Sequence, residues 1–189
     1  MGKMKTFKQF LIEKYQEKHD HSSAQVLLPK NLAMKILDWG DNKVPDDIVY
    51  NDPDNPAFGR EDEPHVTILH GLFESDPENI KELVQNFKSF NVKLGKMSLF
   101  TSNEKFDVLK IDVHSEGLNG LNSKLKNNLE TTRQYPQYVP HITIAYVNKK
   151  SSDEFVGNKV FEGQQFHVDE IVFSSKNGEK TKIRISNEK

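Results

Sequence analysis

The sequence predicts an α+β protein built on antiparallel sheets, and two observations support this. Segments with helical periodicity alternate with short apolar runs of strand length, such as VTIL, VLKIDV, ITIAYV and EIVF. Several predicted strands also follow one another with only a turn between them, which favours antiparallel neighbours over a doubly wound parallel sheet. No Gly-x-Gly-x-x-Gly sequence or Walker loop occurs, so a dinucleotide or nucleoside-triphosphate fold has no support.

The individual elements follow from periodicity and from turn residues. Gly40 is expected to end the helix that begins after Pro29, and the segment 41–63, with its prolines and Gly59, is expected to be a long loop. Strands 166–174 and 181–185 are predicted to pair as one hairpin. The other predicted strands are 23–28, 65–70, 92–101, 106–113 and 141–147, and the predicted helices are 30–39, 76–87, 118–129 and 151–157.

A separate amphipathic helix is predicted at the N-terminus, over residues 1–22. Its apolar residues Phe7, Phe10, Leu11 and Tyr15 recur at helical spacing, with Lys and Glu between them. The segment lacks the continuous apolar stretch of a signal peptide. No run in the chain approaches the roughly 20 apolar residues that a membrane helix needs. We therefore expect a cytoplasmic protein with no membrane partner.

The composition excludes several kinds of chemistry. Cysteine is absent, so there is no disulfide, no thiolate metal ligand and no thiol nucleophile. Charged residues make up 29% and the mean hydropathy is −0.71, which indicates a very soluble protein. The net charge of −2 disfavours a binder of long duplex nucleic acid, because such binding rests on many phosphate contacts.

The most informative feature is an internal repeat. EPHVTIL at residues 63–69 matches VPHITIA at residues 139–145, and both contain Pro-His-[Val/Ile]-Thr-Ile. A single His-x-Thr strand is common and means little. Two copies that share a proline and an apolar pattern are far less expected by accident, and we interpret them as matching strands of two similar lobes.

The repeat predicts one polar cleft. Residues two apart share a strand face, so His65 and Thr67 point to one side of their strand, as do His141 and Thr143. A pseudo-twofold relation between the lobes would bring both faces together. Two imidazoles can serve as general base and general acid near neutral pH, and threonine hydroxyls can donate hydrogen bonds to phosphoryl oxygens. These four residues are therefore predicted to catalyse attack at phosphorus.

Two further points concern the histidines. Both motif histidines could instead be metal ligands, but no companion motif such as H-E-x-x-H supplies further ligands, so neither a metal nor a cofactor is predicted. His70, three residues after Thr67, is expected to lie on the strand face opposite His65, as a packed or edge histidine.

The paired HVT and HIT strands resemble those of the 2H phosphoesterase superfamily, the LigT-like or 2′-5′ RNA ligase-like proteins. The resemblance extends over about residues 23–185. It implies a bilobal fold in which two antiparallel sheets form a central cleft with helices packed outside. It also implies that residues 23–187 are a single domain, with 65–70 in lobe one and 141–147 in lobe two.

The same resemblance implies roles for the motif residues. His65 and His141 are the acid and base of a metal-independent phosphodiesterase, and Thr67 and Thr143 bind the phosphate. The motif pair is highly specific for the superfamily but not for a substrate. The sequences GREDEPHVTILHGL and VPHITIAYV look most like bacteriophage members, some of which cleave the cyclic oligonucleotides that bacteria use as antiviral signals (anti-CBASS proteins).

Four residues near the repeats are candidates for binding the substrate. Arg60 and Arg133 precede the two motifs and could bind a phosphate in bidentate fashion, although solvated surface arginines are the commoner case. Tyr138 and Phe58 could stack on a base, although aromatic residues in such positions are more often part of the core.

Three functions are compatible with these observations. The first is a phosphodiesterase that cleaves a small nucleotide, such as a cyclic oligonucleotide, a 2′,3′-cyclic phosphate or a 2′-5′ linkage. The second is a non-catalytic sponge that sequesters a signalling nucleotide, although a binder has no need of two proton-transfer groups. The third, an RNA-processing ligase or an RNA-end enzyme, predicts a larger basic surface than this composition provides.

Overall fold

The computed structural model describes residues 21–53, 58–132 and 137–185. All but the last two residues of the predicted N-terminal helix lie outside these ranges. No helix among the described residues is long and apolar enough to cross a membrane. The elements are β1 (Ser22–Leu27), α1 (Lys30–Lys43), β2 (His65–Leu72), α2 (Glu78–Val84), β3 (Phe90–Phe100), β4 (Phe106–His114), α3 (Glu116–Asn128), β5 (His141–Asn148), β6 (Gln165–Val168), β7 (Glu170–Ser174) and β8 (Lys180–Arg184).

The named strands form one antiparallel sheet of eight strands, in the order β6-β3-β4-β5-β2-β1-β7-β8. The motif strands β2 and β5 lie in the middle and β1 and β4 flank them, so the two halves correspond by a pseudo-twofold relation. Within the described strands, a single residue pair, Val66 opposite Ile142, joins β2 to β5. The predicted α+β class with antiparallel pairing is confirmed, and the two predicted sheets are the halves of this one sheet.

The sheet is curled, because the chain passes directly from one end of it to the other. Val168 ends β6, which pairs with β3 at one edge, and Glu170 begins β7, which pairs with β1 and β8 in the other half. Consecutive Cα atoms are only about 3.8 Å apart, so these two parts of the sheet must approach each other. The predicted single strand over 166–174 is therefore wrong: it is divided at Asp169.

Helix α1 continues past the glycine that was expected to end it. It runs to Lys43, and Gly40 lies where the helix packs against β5. A Cβ atom at Gly40 would be 3.3 Å from Cγ2 of Ile144, so this position accommodates a close approach of helix and sheet. The residue is a packing glycine here, and the segment after the helix is shorter than predicted. Helix α3 packs in the corresponding way against β2.

Both motif strands contain a β-bulge at the same place in the repeat. In β2 the residues on either side of Ile68 pair with adjacent residues of β1, so Ile68 is an extra residue. In β5 the residues on either side of Ile144 pair with adjacent residues of β4. A bulge changes the direction in which the following side chains point. The two copies of the repeat therefore share a β-bulge as well as the sequence motif.

The bulge returns His70 to the face of the motif histidine. His70 pairs with Ser23 and Thr67 pairs with Gln25, and these two partners are two residues apart on one face of β1. The expectation that His70 lies on the opposite face is wrong, because strict alternation does not count the extra residue. Tyr146 in β5 is brought to the histidine face in the same way.

A buried side chain from α3 holds the first bulge. The Nδ2 atom of Asn122 donates a hydrogen bond of 2.7 Å to the carbonyl oxygen of Ile68, and both groups are buried. A buried carbonyl without a partner costs more than a normal hydrogen bond contributes. Asn122 therefore couples helix α3 to the irregular point of the motif strand.

We predict that Asn122→Ala lowers the free energy of unfolding by about 1–3 kcal/mol, because the Ile68 carbonyl loses its buried donor. Urea unfolding followed by circular dichroism measures this. Asn128→Ala is the matched control: Asn128 is exposed and donates to the carbonyl of Lys124 within the same helix, so its removal should cost less than about 0.5 kcal/mol. Equal losses in the two variants would contradict the proposed role of Asn122.

Candidate active site

The central strand pair assembles the four motif side chains. Val66 and Ile142 are fully buried on the apolar face of the sheet. Their neighbours on both strands point to the other face and are half-buried. Antiparallel pairing centred on these two residues sets the histidine of each repeat beside the threonine of the other. The motif side chains on this face are those of His65, Thr67, His141 and Thr143.

The two imidazoles are held in the same way. Nδ1 of His65 lies 2.8 Å from the carbonyl oxygen of Glu63, and Nδ1 of His141 lies 2.7 Å from that of Val139. A carbonyl oxygen can only accept, so Nδ1 donates and carries the proton in both rings. Nε2 is then the atom that can exchange a proton with a substrate in each histidine.

The proline of each repeat explains the hydrogen bond between Nδ1 and the carbonyl oxygen. Pro64 and Pro140 stand between each histidine and the residue whose carbonyl it contacts. Proline fixes its own φ angle and holds the preceding residue in an extended conformation. The carbonyl two residues before the histidine is therefore presented to Nδ1 by the local sequence, and both copies of the motif share the arrangement.

Tyr138 ties the second motif to the first. Its hydroxyl donates a hydrogen bond of 3.0 Å to the carbonyl oxygen of Thr67. Burial raises the pKa of Tyr138, so the hydroxyl stays protonated and remains a donor. Its stacking on a substrate base remains a prediction; the contact found joins the segment before β5 to β2.

A charged network that sequence patterns did not reveal lies beside His141. Lys110 Nζ is 2.5 Å from Oδ1 of Asp112 and 2.6 Å from Oγ of Ser98. In the β4–β5 register, Asp112 is the partner of His141. The ring of Phe100 also lies beside His141 and packs edge-on against its imidazole ring, with centroids 4.7 Å apart.

The network affects two ionisable groups. Burial lowers the pKa of His141, and the positive charges of Lys110 and His65 lower it further, against the opposing effects of the Val139 carbonyl and Asp112. Burial alone would raise the pKa of Asp112, but its hydrogen bonds with Lys110 and Ser98 outweigh burial and the pKa is lowered. His141 is therefore held in its neutral form near pH 7, and Asp112 in its ionised form.

Glu61 is the charged residue near His65, as Lys110 and Asp112 are near His141. Its backbone N–H donates to the carbonyl of Ile144, which places the residue against the β5 bulge. Burial raises the pKa of Glu61, and the positive charge of a protonated His65 opposes that rise. Its Oε1 atom accepts hydrogen bonds from the backbone N–H groups of Asp62 and Glu63. Neither Glu61 nor Lys110 carries a sequence signal, because contacts with distant parts of the chain place each of them near a histidine.

An aromatic cluster extends the histidine face beyond Tyr146. Adjacent ring centroids lie 4.9 to 5.4 Å apart among Tyr50, Phe58, Phe106 and Tyr146. Three of these rings, with residues of the β3–β4 turn, line a cavity of about 470 Å³. Phe58, predicted to bind substrate, therefore lines a cavity with other aromatic rings, and its contact with a substrate stays a prediction.

The two predicted arginines have different outcomes. The Nη2 atom of Arg60 donates hydrogen bonds of 2.6 Å to the carbonyl of Val44 and to Oδ1 of Asp46. Its Nε atom lies 3.5 Å from Oδ1 of Asp41. The guanidinium thus ties the segment before His65 to the end of α1, and its contact with a phosphate stays a prediction. Arg133 lies outside the described residues.

Within residues 21–53, 58–132 and 137–185, no group of three or more His, Asp or Glu side chains is placed to hold a metal ion.

Comparisons with known proteins agree with this arrangement. A sequence profile of the 2′-5′ RNA ligase superfamily matches residues 48–180. The crystal structure of a Thermus thermophilus protein is similar over 89% of this chain and 100% of its own, with 18% identity and a TM-score of 0.62. Escherichia coli LigT in complex with 3′-AMP is similar over 88% of this chain and 95% of its own, with 18% identity and a TM-score of 0.56. No curated protein sequence gives a significant match.

The curled antiparallel sheet and its twin histidine–threonine strands define a phosphoesterase of the 2H class. The chain belongs to the 2′-5′ RNA ligase superfamily, since the matched residues span most of its length.

Proposed function

We propose that the protein is a metal-independent phosphodiesterase that cleaves a small RNA-like substrate between His65 and His141. The observation that carries the proposal is the Val66–Ile142 pair, because it brings two imidazoles with matching tautomers and two threonines onto one face. General acid and base catalysis needs two such groups on opposite sides of the reacting phosphorus.

The reaction follows from these groups. Nε2 of one histidine removes the proton from a ribose 2′-hydroxyl or a water, whose oxygen forms a new bond to phosphorus. The bond from phosphorus to the leaving oxygen breaks, and that oxygen takes a proton from Nε2 of the other histidine. Thr67 and Thr143 donate hydrogen bonds to the non-bridging oxygens as their negative charge increases.

The aromatic cavity favours an oligonucleotide over a single nucleotide. Tyr146 lies three residues beyond Thr143, on the same face and across a bulge, so the aromatic cluster starts roughly 7–10 Å along the strand. The Tyr146 ring contacts Phe58 and Phe106, which line the cavity beyond it. This separation suits the base of a neighbouring nucleotide, which can stack on aromatic rings. LigT has been crystallised with 3′-AMP and with NADP⁺, which are ligands of one and two nucleosides.

Among oligonucleotides, we propose a cyclic oligonucleotide signal as the substrate, in keeping with the resemblance of the motifs to phage proteins that degrade such signals. The small net charge of −2 fits a ligand with few phosphates. Incubation of the protein with cyclic di- and trinucleotides, 2′-5′ oligoadenylates and nucleoside 2′,3′-cyclic phosphates, followed by mass spectrometry, identifies the product. A bound ligand that is recovered intact would support the sponge instead.

We predict that His65→Ala and His141→Ala each slow the chemical step about 10²–10⁴-fold, because each removes one proton-transfer group. Thr67→Val and Thr143→Val should each cost roughly 1.5–3 kcal/mol of transition-state stabilisation, the value of a hydrogen bond to a charged group. Single-turnover cleavage measures all four variants. His167→Ala, on the edge strand β6, is the matched control and should be as fast as the wild type.

The two histidine changes should also be strongly non-additive. The double variant should be little slower than the slower single variant, because the two groups act in one linked proton transfer. A wild-type rate in either single variant would remove the basis of the proposed mechanism.

We predict that turnover survives excess EDTA, since the proposed reaction relies on two imidazoles and two hydroxyl donors for proton transfer and charge stabilisation. The rate is measured with untreated, EDTA-treated and metal-supplemented protein. Loss of activity on chelation, restored by one divalent cation, would contradict the two-histidine mechanism.

We predict that Phe58→Leu lowers kcat/KM for the cyclic oligonucleotide about 5- to 100-fold, the usual effect of losing one base-stacking contact. The effect on a nucleoside 2′,3′-cyclic phosphate should be much smaller, because that substrate does not reach the cavity. Phe73→Leu, at an exposed aromatic residue near the far end of β2, is the control and should change neither value. Equal losses on both substrates would show that Phe58 does not recognise a second base.

A further inference from the structure

The two halves of the site differ at positions that the pseudo-twofold relation makes equivalent. Thr143 pairs with Lys110 on β4, whereas Thr67 pairs with Gln25 on β1. In the same register, the partner of His141 is Asp112. The partner of His65 is Leu27. The second half of the site therefore carries a lysine and an aspartate where the first half carries an amide and a leucine.

Lys110 is buried beside the site and held by several contacts. Lys110 is 3% exposed, and its Nζ atom has partners on three sides: Asp112, Ser98 and the ring of Phe100, whose centroid is 4.4 Å away. The same ring contacts the imidazole of His141. Taking the charge of Lys110 out of water costs free energy, and pairing with the half-buried Asp112 offsets that cost without a large net gain. Stability alone therefore does not explain a lysine at this position in one half only.

The charged groups beside the two histidines differ. His141 is faced by Lys110 and Asp112 from β4 and by His65 from β2, while β3 contributes the uncharged Ser98 and Phe100. Lys110 and Ser98 hydrogen-bond the Asp112 carboxylate, which limits its attraction for a proton on His141. His65 instead has the Glu61 carboxyl group within electrostatic range.

We propose that Lys110 and Asp112 are positioning residues that break the symmetry of the site and make His141 the proton acceptor and His65 the proton donor in the first step. Nε2 of His141 then takes the proton of the attacking hydroxyl as its oxygen bonds to phosphorus. The leaving oxygen receives the proton from Nε2 of His65 as its bond to phosphorus breaks. This assignment of direction rests on the proposed function.

The test is an NMR titration of His141 in the free protein, which needs no substrate. The wild-type midpoint is expected below the ordinary histidine value of about 6.5. Lys110→Met, which keeps most of the side-chain volume, should raise the midpoint by about one pH unit, because a neighbouring positive charge is lost and Asp112 is no longer paired. Asp112→Asn should move it in the opposite direction or leave it unchanged, because it removes a negative charge.

A second lysine–aspartate pair, between the start of β4 and the turn after β5, is the matched control. Lys149 Nζ lies 2.7 Å from Oδ1 of the buried Asp107, away from the histidines. Lys149→Met should leave the His141 midpoint unchanged. An unchanged midpoint in Lys110→Met, or a shift of equal size in Lys149→Met, would overturn the proposal. Should Lys110→Met not fold, a wild-type midpoint at or above about 6.5 overturns it as well.

Catalysis supplies a readout that a purely structural role does not change. In Lys110→Met the acidic limb of the kcat/KM profile should move to higher pH, since the base is then protonated over a wider range. An unmoved limb with a uniformly lower rate would show that Lys110 supports packing alone. If no substrate is cleaved, the proposed function fails, while the titration still decides whether Lys110 controls His141.

Discussion

The pairing of Val66 with Ile142 is the contact on which the rest of the structure depends. Within the described strands it is the one residue pair that joins β2 to β5, and so it connects the two halves of the sheet. Because both side chains are buried on the apolar face, their neighbours are forced onto the opposite face, where proton transfer can occur. The same contact thus completes the core and brings the four motif side chains together, which explains why a hydrophobic pair lies directly behind the candidate site.

Elements in both halves of the sheet support this contact. The bulges at Ile68 and Ile144 bend the motif strands at equivalent points, and α1 and α3 pack against them from the apolar side. Asn122 stabilises one bulge through a hydrogen bond, and Gly40 allows a close approach at the other. The two helices therefore use different chemistry to support the same strand geometry.

Symmetry gives the site two equivalent histidines, but a directional reaction needs them to differ. The backbone treats them alike, because both Nδ1 atoms donate to a carbonyl that lies two residues earlier. Only the surroundings distinguish them: the buried Lys110, paired with Asp112, beside His141, and a carboxyl group near His65. A duplicated fold can acquire a direction in this way through changes on the flanking strands while both histidines and both threonines are kept.

The sequence by itself determined the features that depend on neighbouring residues. The α+β class, most strand positions, the shared face within each His-x-Thr pair and the superfamily all follow from periodicity and from the repeat. It did not determine the division at Asp169, the continuation of α1 through Gly40 or the side on which His70 lies. Those features, like the placement of Lys110 beside His141, arise from contacts between segments far apart in the chain. Local periodicity carries no information about such contacts, and only tertiary packing decides them.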